Sequence, residues 1–255
     1  MAVLLETRGL AMTFGGLRAV SNLNLSVHEG SLVGLIGPNG AGKTTVFNMI
    51  SGLLRPTEGQ IIFADQDITH LPPHAVTRLG LARTFQNIRL FANRSVLENV
   101  MIAQHKHVKY DFIRALLHLG IAEEEAEITG SSLELLRVLE LDDKADQIAG
   151  NLPYGDQRLL EIARAMATRP RLLLLDEPAA GMNPNETVQL MDFIQRIRQE
   201  FGVTILLIEH DMNLVMGICE HITVLDYGMT IAEGTPAEVR SNQRVIKAYL
   251  GEEAI

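Results

Sequence analysis

The chain reads as an α/β protein in which parallel strands with crossover helices carry an inserted helical segment. Three observations predict this. Strand-sized apolar runs alternate with helical patterns at both ends of the chain, while the stretch from Asn87 to about Thr168 shows no convincing strand. Between the apolar run Leu32 to Ile36 and a helical pattern stands the Gly-rich loop GPNGAGKT, Gly37 to Thr44. The whole fits one domain: an α/β core over about 1–86 and 169–255, and a helical subdomain over about 87–168.

In order, the runs VLLE, AVSNLNLSV and LVGLI read as strands, Thr44 to Leu54 as a helix, and QIIF as a further strand. This part reads as a mixed β-sheet region with one helix emerging from the Gly-rich loop. Ser95-Val-Leu-Glu98 has capping-box spacing before VMIAQH, and Ser132 to Leu141 carries leucines at helical intervals. A helix is expected over Asp156 to Ala167, its apolar face formed by Leu159, Ile162, Ala163 and Met166. After Arg169 come the strand Leu172 to Leu175, a helix Asn185 to Phe201 stopped by Gly202, the strand VTILLI, a short helix, and the hairpin-like HITVLDYGMTIAEG.

Composition excludes several classes of function. With 31 acidic against 22 basic residues the net charge is −9, which argues against sequence-independent binding of nucleic acid. The single cysteine, Cys219, precludes an internal disulfide and reads as a small buried apolar side chain. The first twenty residues do not resemble a signal peptide, and no stretch reaches the ~18 apolar residues of a membrane span, so a membrane role would come through a partner. Gln104-His105-Lys106-His107 and Glu123 to Glu127 read as solvated faces rather than metal sites.

The loop matches G-x-x-x-x-G-K-[ST] in the required strand and helix context. Its glycines let successive N–H groups wrap phosphate oxygens, and the following helix adds its positive end. Lys43 would reach the β- and γ-phosphates and Thr44 would give its hydroxyl to Mg²⁺. Asp176 and Glu177 close a buried strand, where open α/β sheets bind ligands: Asp176 suits the Mg²⁺ shell and Glu177 a water that attacks the γ-phosphate. Capping of the next helix is the alternative for this pair. His210, at the end of VTILLI, becomes a γ-phosphate contact in that company, and the Gln86 amide sits where it could touch both the metal shell and the helical segment. Phe14, at an exposed turn-like site, either stacks on adenine or joins the core, with stacking favoured.

The order of these motifs resembles the ATP-binding subunits of ABC transporters over essentially the whole chain. The resemblance runs through the aromatic loop (Phe14), the Walker A loop (Gly37, Pro38, Asn39, Gly40, Ala41, Gly42, Lys43, Thr44 and Thr45) and the Q-loop (Gln86). It continues through the signature loop (Leu152 to Asp156), Walker B (Leu172 to Glu177), the D-loop (Ala180 to Asn183) and the switch His210. It implies a P-loop NTPase cassette, with an antiparallel β subdomain, that binds ATP and Mg²⁺ between two cassettes, where Leu152, Gly155 and Asp156 meet the nucleotide of the partner. It also implies two integral membrane permease subunits, a periplasmic solute-binding protein as an indirect partner, no nucleic acid, and a peripheral place on the cytoplasmic face of the inner membrane. GPNGAGKTTVFNMISG, ARTFQNIRLF, LLLLDEPAAGMNP, LLIEHDMNLVMGI and VIKAYLGE look most like the ATPases of branched-chain amino acid importers.

The chain departs from this family at the signature, LSGGQ, which here is Leu152-Pro153-Tyr154-Gly155-Asp156, and at Asn183, where the D-loop usually has Asp. Pro153 lacks the hydroxyl that the family's Ser offers to γ-phosphate, a bond to a charged group worth roughly 1.5–3 kcal/mol. Asp156 adds a negative charge that would cap the helix yet repel phosphate.

Overall fold

The computed structural model describes residues 2–104 and 121–250. His105 and His107 therefore lie outside the described residues, as do Gly251 and Glu252 of the final motif. In chain order the strands are β1 (Val3–Phe14), β2 (Leu17–His28), β3 (Leu32–Ile36), β4 (Glu58–Phe63) and β5 (Gln66–Asp67), followed by β6 (Leu81–Arg83), β7 (Leu172–Asp176), β8 (Thr204–Ile208), β9 (His221–Asp226) and β10 (Met229–Gly234). The helices described are α1 (Lys43–Ile50), α2 (Pro73–Arg78), α3 (Val96–Gln104), α4 (Ile121–Val138), α5 (Tyr154–Ala167), α6 (Pro184–Phe201), α7 (Met212–Ile218), α8 (Pro236–Ser241) and α9 (Gln243–Leu250).

Four strands make an antiparallel sheet in the order β2-β1-β4-β5. Six make a second sheet, β10-β9-β3-β8-β7-β6, parallel except for the edge strand β10. The central strands β3, β7 and β8 are buried at every position because both faces are covered, and their residues are almost all apolar. Leu173, Leu175, Ile205 and Leu207 face one core with α5, α6 and α7, while Leu172, Leu174, Leu206 and Ile208 face another with α1 and the antiparallel sheet. Burying each such side chain stabilises the fold by roughly 1.5–3 kcal/mol, so the sheet is a rigid base for whatever leaves its strand ends.

Local differences from the sequence expectation have physical causes. β1 runs well beyond VLLE, since the register slips between Thr7 and Leu10 around Gly9, whose φ of 58° permits the irregularity. α1 stops at Ile50 rather than Leu54: Gly52 turns the chain at φ 75°, and a Cβ there would meet the Leu71 carbonyl oxygen at 2.6 Å. β6 has only three residues, too short for a visible period. α5 begins at Tyr154, two residues before the expected start, because Pro153 has no N–H to satisfy and its fixed φ suits an N-cap. The capping box at Ser95 forms as its spacing predicts, with Glu98 N–H on Ser95 Oγ at 3.1 Å and Ser95 N–H on Glu98 Oε2 at 2.8 Å.

Cys219 lies at the end of α7 against the apolar core, where burial pushes its thiol up to about 12. Since the thiolate is the reactive form, the folded protein should resist iodoacetamide at pH 8 and react only once unfolded. Mass spectrometry of native and denatured samples checks this, and rapid native labelling would contradict the burial.

Candidate active site

Register places the candidate residues at one edge of the parallel sheet. Leu35 pairs with Ile208, and Ile208 with Asp176, so β3, β8 and β7 end at the same level. The Gly37 loop, Glu209-His210 and Glu177 therefore leave the sheet side by side, at the carboxyl ends of parallel strands.

The loop backbone can be shaped only by glycine at two points. A Cβ on Gly37 (φ 151°) would lie 2.0 Å from the Leu225 oxygen, and one on Gly42 (φ 102°) 2.6 Å from the Ala19 oxygen. Gly42 opens α1, whose first N–H groups lack intrahelical acceptors and face the loop. Lys43 Nζ donates to the Gly37 and Pro38 carbonyls at 2.7 and 3.0 Å. Burial lowers the Lys43 pKa, and the nearby Glu177 and Asp176 carboxylates pull it back. Asn39, Gly40 and Thr44 are exposed and Thr45 is half-buried, so the loop and the helix start are open to a ligand. Phe14 is exposed at the end of β1, next to the Gly15-Gly16 turn of the hairpin whose second strand carries Ala19 past Gly42.

Asp176 is buried and held at Oδ2 by Arg83 Nη2 at 2.7 Å. The same guanidinium donates through Nη1 to Asn48 Oδ1 at 2.7 Å and Ser51 Oγ at 3.1 Å, tying the end of β7 to α1. Glu177 has φ 48°, a left-handed conformation that costs a residue with a side chain roughly 1–2 kcal/mol. Its N–H donates to the Ile208 carbonyl at 2.9 Å, and its Oε2 accepts from Gln86 Nε2 at 2.8 Å with His210 Nδ1 3.8 Å away. Behind them Glu209 is fully buried and accepts the N–H groups of Ala179, His210 and Asp211 at 2.7, 3.0 and 3.4 Å. Burial raises the Glu209 carboxyl above the usual range while those donors draw it down.

The signature segment differs from expectation in one respect. Asp156 neither caps α5 nor stands as a free negative charge: its Oδ2 accepts from Lys144 Nζ at 2.8 Å, a bond that raises the Lys144 pKa. Leu152 is buried, Gly155 is buried and Pro153 is exposed at the helix N-terminus. At the D-loop, Asn183 performs the capping that an Asp would, with Oδ1 accepting from Asn185 and Glu186 N–H groups at 3.0 and 3.1 Å. Arg83, Tyr154, Arg158 and Glu209 were not singled out from sequence, where each stands alone among apolar neighbours or motif letters; only its bonds mark it.

No group of three His, Cys, Asp or Glu side chains able to hold a metal ion occurs among the described residues. The hydroxyl of Thr44, the carboxylate of Asp176 and the amide oxygen of Gln86 are hard oxygen donors of the kind Mg²⁺ takes together with substrate phosphates.

A family model described as ABC transporter matches residues 20–180. The chain belongs to that family. As an ABC cassette it is an ATPase, and it is 50% identical over 98% of both chains to the high-affinity branched-chain amino acid transport ATP-binding protein BraF of Pseudomonas aeruginosa. A second model, described as branched-chain amino acid ATP-binding cassette transporter, matches residues 229–255. Among solved structures, the ADP conformation of the ATP-binding cassette MJ1267 superposes on the cassette with a TM-score of 0.86 at 32% identity, covering 99% of this chain and all of that one. The dimeric post-hydrolysis state of the cassette MJ0796, bound to ADP and Pi, does so at 0.77 and 26% identity, covering 91% of this chain and 99% of that one. No described helix of this cassette is long and apolar enough to cross a membrane.

Proposed function

We propose that this cassette hydrolyses ATP to power import of branched-chain amino acids through a membrane ABC transporter. The observation that carries the solute class is the 50% identity to BraF along the whole chain, together with the C-terminal match over residues 229–255. The α/β core holds the Walker residues, and the segment of about 87–168 works as a helical subdomain. Two cassettes, identical or different, close around ATP. Two integral membrane permeases receive the motion, and a periplasmic solute-binding protein delivers the amino acid. The cassette itself lies peripherally on the cytoplasmic face of the inner membrane, and nucleic acid is not a partner.

In this reading the N–H groups from Gly37 to Thr45 cradle the phosphates, Lys43 exchanges its bonds to Gly37 and Pro38 for β- and γ-oxygens, and Phe14 stacks on adenine. Thr44, Asp176 and Gln86 would hold Mg²⁺, which would neutralise charge on those oxygens. Glu177 takes the proton of the attacking water, and His210 beside it contacts the γ-phosphate. Leu152, Gly155 and Asp156 present the start of α5 to the nucleotide of the partner cassette. With Asp156 paired to Lys144, its charge no longer opposes that phosphate.

Uptake of labelled solutes by cells lacking only this chain tests the solute class. Loss of leucine, isoleucine and valine uptake is expected. Normal uptake of these with loss of urea or amide uptake would transfer the cassette to a related importer.

A further inference from the structure

The Glu177 backbone is strained, so something must hold the segment that carries it. A closed ring of hydrogen bonds does so, and it passes through the residue that stands where the family signature has its first glycine. From Glu177 Oε2 the ring goes to Gln86 Nε2 at 2.8 Å. The Gln86 carbonyl accepts from Arg158 Nη2, whose other nitrogen, Nη1, donates to the Phe85 carbonyl at 3.0 Å. Arg158 Nη2 also donates to Tyr154 Oη at 2.9 Å, and that hydroxyl donates in turn to the Ala180 carbonyl at 3.0 Å. Ala180 N–H then returns to the Glu177 carbonyl at 3.1 Å.

Each link is placed by its element. Tyr154 and Arg158 are four residues apart on α5 and so share a face, with the guanidinium carbon 5.4 Å from the ring centroid. Arg158 is buried, which strengthens its bonds to the two carbonyls. The phenol packs over Gly181, which has φ 82°; a Cβ there would lie 3.1 Å from the ring. A glycine at 154 could make none of these contacts. The phenol hydroxyl thus joins the signature segment to the Glu177 segment directly, through the Ala180 carbonyl, and to the Gln86 segment through Arg158.

We propose that Tyr154 is a positioning residue, which latches the signature segment to the two segments that orient Glu177, so that the three shift as one body. This rests on the proposed role of Glu177. In consequence, contact between α5 and the nucleotide of the partner cassette would be felt at the Glu177 of the same chain.

The test is Tyr154→Phe in the complete transporter, since it deletes the hydroxyl and keeps the ring. Two readouts are needed: amide hydrogen exchange over 177–183 and 85–89, and the kcat and KM for ATP. Faster exchange in both segments with kcat lowered roughly tenfold at unchanged KM is expected, from the loss of two hydrogen bonds. Unchanged exchange would overturn the latch, and so would faster exchange at wild-type kcat. Exchange does not depend on what Glu177 does chemically, so failure of the Glu177 role, read from Glu177→Gln, remains distinguishable from failure of the latch.

Discussion

Glu177→Gln should leave ATP binding intact and cut ATP turnover by roughly 10²- to 10⁴-fold, the usual contribution of a positioned general base. Glutamine has the same shape, and its Oε1 can still accept the Gln86 amide N–H that now reaches Glu177 Oε2 at 2.8 Å. It follows the same left-handed turn after β7. What it lacks is a charged oxygen that can take a proton from water. The phosphate cradle lies on different elements, the Gly37 loop and the start of α1, so affinity should persist. On the proposed reading, in which two cassettes close around ATP and part only once it is hydrolysed, the variant should also accumulate as a closed pair of cassettes. Phosphate release, nucleotide titration and light scattering measure the three quantities. Normal hydrolysis would mean that another group activates the water.

Arg83→Met should have the largest effect on stability, about 3–5 kcal/mol, the cost of leaving one member of a buried ion pair alone. Asp176 is 4% exposed, and its 2.7 Å partner would be gone. Asn48 and Ser51 would lose their donors as well, loosening α1 against β7. Lysine would be a poor substitute, because one ammonium cannot span three acceptors on two elements as the planar guanidinium does. Adding Asp176→Asn to Arg83→Met should restore much of the loss, since no buried charge then remains unpaired. Denaturant unfolding of the two single variants and the double variant checks the account; a loss below about 1 kcal/mol for Arg83→Met would show that the pair is weakly coupled to folding.

Much of the site was legible because its chemistry depends on spacing. The Gly37 loop, the carboxylates after Leu172 to Leu175 and His210 each follow a run that is almost wholly apolar and buried throughout, and parallel register then brings those strand ends level. Capping boxes at Ser95 and Asn183 and the stop at Gly202 are local in sequence, and so were readable or nearly so. The support of the site was not. Arg83 and Asp176 are far apart in the chain, as are Arg158 and Gln86, and a lone Arg in an apolar segment carries no sign of its partner. Asp156 shows the same limit from the other side: its charge was visible, but Lys144, twelve residues earlier, decides what that charge does.

The central claim is that hydrolysis at Glu177 drives branched-chain amino acid uptake. It is tested most directly by measuring phosphate release and labelled leucine accumulation together, in vesicles carrying the whole transporter with its binding protein. The expected result is leucine uptake that requires ATP, rises in step with phosphate release, and stops along with it in Glu177→Gln. Leucine accumulation at the wild-type rate in that variant, or phosphate release that leucine and its binding protein leave unchanged, would contradict the claim.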